Sequence, residues 1–339
     1  MAENTKAYTA LVEHLAKVKY AFVCPSPETQ GRVIEKRNSA SSSAEAKNAQ
    51  DFFGWNLPCT REAVLNIVPG HVFESLLHAG VITLNNNKYR STIRVSDFYL
   101  PQVPYGDPDS SSLFYVHSSF PAVADAVFFG PDTYLFISWL QTAVRHLFHA
   151  PNSIIDVCCG SGAGAIHMAR TYPNAQVLGL DLNSRALSLG GVNAHLAGVK
   201  VDFHESNLYA AIPQALKSSG IDLIVSNPPY IAATTGGIAL PIYADGGAES
   251  GLGISMRIVE EAIDIVSATG IVMLYTGVAI PAADPAYDAL LEKLHGIKGI
   301  ELLEYIILHP DMWSEEIGKG AYADVCRIQV VGAVLRRRK

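Results

Sequence analysis

A short run of apolar, β-branched residues from Ile154 to Cys158 breaks into Asp156-Val157-Cys158-Cys159-Gly160-Ser161-Gly162-Ala163-Gly164, and a helical pattern follows at once. Nothing else in the chain narrows the fold so far. Glycines at 160 and 162 let the backbone bend tightly and approach a ligand with no Cβ in the way, while the next helix turns unpaired N–H groups toward the bend. A strand ending this way belongs in an open α/β sheet, where ligands sit beyond the carboxyl ends of the strands at the point where strand order reverses.

The residues after it keep that rhythm. Ala163 to Thr171 is predicted helical, Gln176 to Leu180 a strand ending at Asp181, Ser184 to Leu196 a helix, and Lys200 to His204 and Ile221 to Ser226 strands. Gly251 to Ala268 reads as one long amphipathic helix and Gly270 to Thr276 as a strand. Late strands at Glu304 to Leu308 and Val325 to Leu335 suit an antiparallel edge pair. Such alternation demands right-handed crossovers and a mostly parallel, doubly wound sheet with helices on both faces.

The first part of the chain has a different outline. Apolar residues recur at helical spacing over about 8 to 23, and the Ser/Ala-rich stretch Ser39 to Ala49 reads as a mobile loop. Arg61 to Val68 and His71 to Ala79 are predicted as two helices split at Pro69-Gly70. Val81 to Leu84 and Lys88 to Val95 follow as strands joined by Asn85-Asn86-Asn87, residues that tolerate a left-handed turn. Two helices and a hairpin outline a small winged-helix-like module over 1–112, ahead of a larger domain over 113–339. Its basic residues from 61 to 94 are only Arg61, Lys88, Arg90 and Arg94, a weak footprint for phosphate, so a packing or substrate-covering module is favoured over a DNA reader.

Composition excludes several classes. The chain is 49% hydrophobic and 17% charged, enough for a buried sheet and poor material for disorder. A net charge of −7 disfavours nucleic acid as a partner, and the basic Arg336 to Lys339 end reads as a solvated tail. Five scattered cysteines with no CxxC pair support neither a metal site nor a disulfide framework. With no leader-like segment and no apolar run of membrane length, the expectation is a cytoplasmic protein without a membrane partner.

Chemistry enters at two places. A glycine loop followed by a distal acid also marks dinucleotide binding. Here, however, Asp156 precedes the glycines, where a carboxylate would repel a pyrophosphate but reach an amino-acid ammonium group. Asp181 is placed to accept both hydroxyls of a ribose. Asn207 is placed to meet an adenine through its amide, or to cap the turn that contains it. Cys158 and Cys159 have no basic partner nearby in sequence and read as small residues in a tight bend rather than nucleophiles.

The second place is Asn227-Pro228-Pro229-Tyr230, directly after the Ile221 to Ser226 strand. Two prolines fix the backbone and remove two N–H donors, leaving carbonyls to face the pocket. The Asn227 side-chain oxygen and the Pro228 carbonyl can each accept one hydrogen bond from an N–H₂ group while the Tyr230 ring stacks on its conjugated plane. Holding both protons toward fixed acceptors aims the nitrogen, and no strong general base is needed.

These residues resemble the class I methyltransferases, and among them the HemK/PrmC-like branch that methylates a glutamine amide of release factors. The resemblance covers about Val127 to Leu335, and the tetrapeptide is shared with adenine-N6 methyltransferases. It implies a seven-stranded Rossmann-like sheet and S-adenosyl-L-methionine as cofactor, held by Asp156, Cys158, Gly160, Ser161, Gly162, Asp181, Leu182, Asn207 and Asn227. Asn227, Pro228 and Tyr230 would hold the acceptor nitrogen. Phe129, Pro131, Thr133, Pro229, Tyr230 and Tyr243 would line the substrate side.

Phe129-Gly130-Pro131-Asp132-Thr133-Tyr134 looks like the family's Pro-Arg-Pro-Glu-Thr-Glu element, with Gly130 for its arginine and Tyr134 for its last glutamate. Asn207 stands where an aspartate is usual, and Ala244 to Leu252 echoes a glycine-rich family element loosely. The expected activity is N-methylation of a small molecule or a protein amide. An adenine-N6 methyltransferase acting on RNA or DNA, and a non-catalytic protein that binds the same cofactor, stand as alternatives. Oligomeric state is left open.

Overall fold

The computed structural model describes residues 2–40, 44–98, 113–232 and 240–338. Helices α1 (Ala2–Lys17) and α2 (Pro27–Ala40) come first, then α3 (Arg61–Ile67) and α4 (Gly70–His78). Strands β1 (Ile82–Asn85) and β2 (Lys88–Ser91) form the expected hairpin, with Asn86 and Asn87 both at positive φ as a tight turn of this kind requires. Strand β3 (Ile93–Phe98) pairs antiparallel with β4 (Leu113–Ser118), which lies beyond 99–112 in sequence.

The remaining elements, in chain order, are α5 (Pro131–Ala143), β5 (Ser153–Val157), α6 (Ala163–Thr171), β6 (Gln176–Asp181), α7 (Ser184–Leu196) and β7 (Asp202–Glu205). They are followed by α8 (Gln214–Ser219), β8 (Ile221–Ser226), α9 (Gly253–Ala262), β9 (Val266–Pro281), α10 (Ala289–Gly296), β10 (Ile300–His309) and β11 (Val325–Arg337). Seven of the strands make one sheet in the order β10-β11-β9-β8-β5-β6-β7. From β7 to β9 all pairs are parallel; β11 runs antiparallel between β9 and β10. That antiparallel insertion departs from the dinucleotide-binding order, so it separates the two readings that a glycine loop alone leaves open.

Alternating side chains bury both faces, as a parallel sheet requires. Ile154, Leu223, Val225, Ile271 and Met273 join one core with α5, α6 and α7. Ile155, Ile224, Val272 and Leu274 face the opposite core with α9 and α10. The first core continues without a break into Leu11, Phe52, Val64 and Phe73 of the N-terminal part.

Four elements differ from expectation. The strand expected over Lys88 to Val95 divides at Thr92 into β2 and β3, which join separate sheets. Helix α2 begins at Pro27 and runs into the stretch read as a loop, and a short π-helical turn at Gln50–Gly54 closes that stretch. The segment read as one helix to Ala268 stops at Ala262, because β9 starts at Val266, paired with Ile221 of β8. Strand β9 then runs 16 residues, held along its length by β11.

Candidate active site

Strand register assembles the site. Val157 of β5 lies opposite Ser226 of β8 and Leu180 of β6, so the glycine bend, Asn227 and Asp181 leave the sheet at one level. The Ser226 hydroxyl donates to the Val157 carbonyl at 2.6 Å and locks the two strand ends together. The chain turns one way from β5 into β6 and β7 and the other way into β8 and β9, so this level is also the reversal point.

A cavity of about 520 Å³ opens there. Asp156, Cys158, Gly160, Ser161, Asp181, Leu182 and Asn207 line it from one side, and Asn227, Pro228, Pro229, Tyr230, Thr133 and Tyr243 from the other. Two loops far apart in sequence therefore share one hollow. Asn227 is half-buried, and its side chain makes no hydrogen bond to any described residue.

Within the bend, the Gly160 N–H donates to Asp181 Oδ2 and the Asn183 N–H to Asp181 Oδ1, both at 2.8 Å. Asp156 Oδ2 accepts the Ala165 N–H at 2.7 Å, while Asp156 Oδ1 is buried with no partner. Burial pushes the Asp156 carboxyl up to about 8; the Ala165 hydrogen bond opposes this and the nearby Asp181 charge adds to it. Burial also raises Asp181 against its backbone donors. A buried acid with one oxygen unsatisfied suits a cationic ligand group, which would ionise it on binding. Burial, followed by the charges of Asp181 and Asp156, pushes the thiols of Cys158 and Cys159 well up, so neither is an activated nucleophile.

Three expected residues lie outside the cavity lining. Phe129 is fully buried, stacked on Tyr115 at 4.9 Å and on His117 at 5.3 Å. Its neighbour Phe128 takes the cavity wall instead, stacked on Tyr243 at 5.1 Å. Pro131 occupies the first turn of α5, where its fixed φ starts the helix, and the Thr133 hydroxyl accepts the Gly130 N–H. Gly162, at φ 81°, packs against Phe203 and the Gly190 backbone. The turn containing Asn207 is closed by Ser206, whose hydroxyl bonds Leu208 O and Ala211 N, so the Asn207 side chain is not needed as a cap.

Other lining residues carried no advance signal. Asp132 sits inside the expected motif but was not assigned a role. Trp313 comes from the connection between β10 and β11 with no motif around it. Its indole Nε1–H donates to the Tyr230 hydroxyl at 2.7 Å. Leu182 is 58% exposed while lining the cavity, an apolar side chain free to lie against a flat ligand. Among the described residues no group of acidic, His or Cys side chains could hold a metal ion, and no helix is long and apolar enough to cross a membrane.

The family model for the methyltransferase small domain matches residues 130–245, a span that contains both loops. The release factor glutamine methyltransferase of Streptomyces coelicolor is 34% identical over 104 residues, covering 31% of this chain and 36% of that protein. The ribosomal protein uL3 glutamine methyltransferase of Neisseria gonorrhoeae is 29% identical over 147 residues, covering 41% of this chain and 48% of that protein. Over this span the chain is similar to the methyltransferase small domain, and the two relatives named are glutamine methyltransferases.

The chain spans less than half the length of these curated relatives. Among solved structures, the T. thermophilus 16S rRNA N2 G1207 methyltransferase overlaps 84% of this chain and 64% of its own at 16% identity, with a TM-score of 0.43.

Proposed function

We propose that this chain is an S-adenosyl-L-methionine-dependent N-methyltransferase whose acceptor is an amide or amine nitrogen, with a protein side-chain amide favoured. The single observation that carries this reading is the shared cavity, in which Asn227 to Tyr230 face the glycine bend. The residues present fit the cofactor: the unpartnered, buried Asp156 Oδ1 suits its ammonium group, and no atom lies within 4 Å of where a Cβ on Gly160 would stand. Asp181 would take the ribose hydroxyls with its remaining lone pairs, and Leu182 and Asn207 would flank the base. When bound, S-adenosyl-L-methionine supplies an electrophilic methyl carbon.

The work left to the chain is to orient and desolvate. Asn227 Oδ1 and the Pro228 carbonyl would accept the two N–H bonds of the acceptor, turning the nitrogen lone pair toward the methyl carbon. The Tyr230 ring, 6% exposed and tied by its hydroxyl to Trp313, would form one wall for the planar group. Pro27 lines the same cavity, and Tyr134 accepts the Cys24 N–H while donating to the Asp97 carbonyl, which supports the N-terminal module as a cover for the site.

Two points favour a protein amide. The relatives named above are glutamine methyltransferases. The cavity wall carries Asp245, Glu315 and Glu316, while its Arg257 is already paired with Glu261, so a polyphosphate backbone would be repelled there.

The test is incubation with methyl-labelled cofactor and fractionated cell extract. Label is expected in protein, and Asn227→Ala is expected to lower the rate by about 100-fold, the scale of losing an oriented polar contact to the reacting group. A parental rate in Asn227→Ala would remove the clamp from the mechanism, and label confined to nucleic acid would replace the substrate class.

A further inference from the structure

A buried carboxylate shares the cavity wall with the clamp. Asp132, 4% exposed in the first turn of α5, lines the cavity, and the Tyr275 hydroxyl donates to its Oδ1 at 2.7 Å. The Tyr230 hydroxyl lies close to the same carboxylate. Because Trp313 Nε1–H already donates into the Tyr230 hydroxyl, the proton of that hydroxyl is free to point at the carboxylate. Two hydrogen bonds meet in this wall: Trp313 donates to Tyr230, and Tyr275 donates to Asp132. Four separate elements supply these residues, far more than is needed to keep one aspartate folded.

We propose that Asp132 accepts the proton that leaves the methylated nitrogen, with the Tyr275 hydroxyl fixing its carboxylate in the cavity wall it shares with the clamp. This rests on the N-methyltransferase reading. As nitrogen bonds to the methyl carbon, sulfur keeps the electron pair of the breaking C–S bond. As the nitrogen becomes tetrahedral one N–H leaves its clamp acceptor; the electron pair of that bond stays on nitrogen, and the proton forms an O–H bond to Asp132, which gives it to water once product has left. A carboxylate suffices because the nitrogen becomes acidic as the methyl arrives. Burial raises the Asp132 carboxyl above the ordinary carboxylate range, which makes it a better proton acceptor than an exposed aspartate. The groups facing it are Tyr275 of β9, Tyr230 after β8, the Trp313 indole and His309 at the end of β10; the Tyr275 hydrogen bond and these polar neighbours act against that rise.

Two readouts test this. In the full chain without cofactor, the ¹⁵N-indole signal of Trp313, assigned with Trp313→Phe, is expected to move with pH at a midpoint above the usual carboxylate range, and Asp132→Asn is expected to abolish that movement. A Trp313 signal insensitive to pH shows that no carboxylate titrates beside it and overturns the proposal. In single-turnover transfer from methyl-labelled S-adenosyl-L-methionine to the extract fraction that takes up label, Asp132→Asn is expected to lower the rate by about 100-fold and to remove the acidic limb of the rate profile, leaving acceptor affinity within a few-fold. Asparagine preserves the size of the side chain and an acceptor for Tyr275, and the wild-type titration stands even if the variant folds poorly. A parental rate with an unchanged acidic limb overturns the proposal alone, whereas a parental enzyme that labels nothing overturns the methyltransferase reading beneath it.

Discussion

Asn193 and Val116, 77 residues apart, exchange two hydrogen bonds: the Val116 N–H donates to Asn193 Oδ1 at 2.8 Å, and Asn193 Nδ2 donates to the Val116 carbonyl at 3.0 Å. The same Nδ2 donates to the Ser161 carbonyl at 2.9 Å. One buried amide on α7 therefore joins β4 to the glycine bend, standing in for the strand neighbour that β4 lacks on that edge.

Asn193→Ala should expose the value of that link. It strands a buried N–H and two carbonyls, and unsatisfied buried groups cost about 1–3 kcal/mol each before relaxation. A loss of about 3 kcal/mol in urea denaturation is expected, together with cofactor affinity lowered by roughly tenfold as Ser161 loosens, a change of about 1.4 kcal/mol. Unchanged stability would show that water replaces the amide without cost.

The clamp is backed by glycines. A Cβ on Gly246 would stand 2.6 Å from Tyr230 Cα, and one on Gly251, already at φ 92°, would collide with the Tyr230 carbonyl oxygen. Backbone bonds from Gly246 N to Ile231 O and from Ile231 N to Ala244 O hold the two loops face to face. Gly246→Ala should therefore displace the Asn-Pro-Pro-Tyr loop. Methyl transfer is expected to fall by tenfold or more, as misplacement near the chemistry commonly costs, while calorimetric affinity for the cofactor stays within about threefold. Equal losses in both quantities would mean that the whole cavity has collapsed.

Asp156 makes a pH prediction whose sign is opposite to that of a paired carboxylate. Its carboxyl lies near 8 in the folded chain against an ordinary value of 3.8, so the folded state holds a proton that the unfolded state has lost. Its contribution to stability is full below about pH 4 and is lost as pH rises toward 8, at up to about 1.4 kcal/mol per pH unit. Thermal melts of the cofactor-free chain should show this decline between pH 5 and 8, and Asp156→Asn should flatten it. Cofactor binding at pH 7 should release a proton as an ammonium group takes over Asp156 Oδ1, read as a dependence of calorimetric heat on buffer ionisation enthalpy. A heat independent of buffer would mean that Asp156 is already ionised in the free protein.

Much of the parallel half was legible because its signals are local. The strand, bend and helix around Gly160, the acid closing β6 and the tetrapeptide closing β8 each occupy a few adjacent residues, and register then brings them level. What escaped was set by partners distant in sequence. Phe128 and Phe129 are adjacent and chemically alike, and only the packing of Tyr115 and His117 decides which ring is buried and which faces the cavity. Trp313 reaches Tyr230 across 83 residues from a stretch with no distinguishing pattern, and the bond from Tyr275 to Asp132 spans 143. Helix α2 was missed because its Ser/Ala-rich end resembles a linker.

Gly162 leads to the last prediction. It was expected against the cofactor, yet a Cβ there would stand 3.0 Å from the Phe203 ring, one on Gly190 2.8 Å from it and one on Gly179 2.5 Å from it. A single aromatic side chain on β7 thus fills the space left by three missing methyl groups, on the bend, on α7 and on β6. Gly190→Ala should overpack this space at a cost of about 1–3 kcal/mol, and Phe203→Leu should open a gap of comparable cost. Combined, the smaller side chain makes room for the added methyl, so the double variant should be more stable than the sum of the two losses by at least about 1 kcal/mol. Simple additivity in urea denaturation would show that the glycines answer to backbone geometry and not to the ring; coupling would show that Phe203 sets how closely α7 approaches the bend, and so how tightly the cofactor loop is drawn onto the sheet.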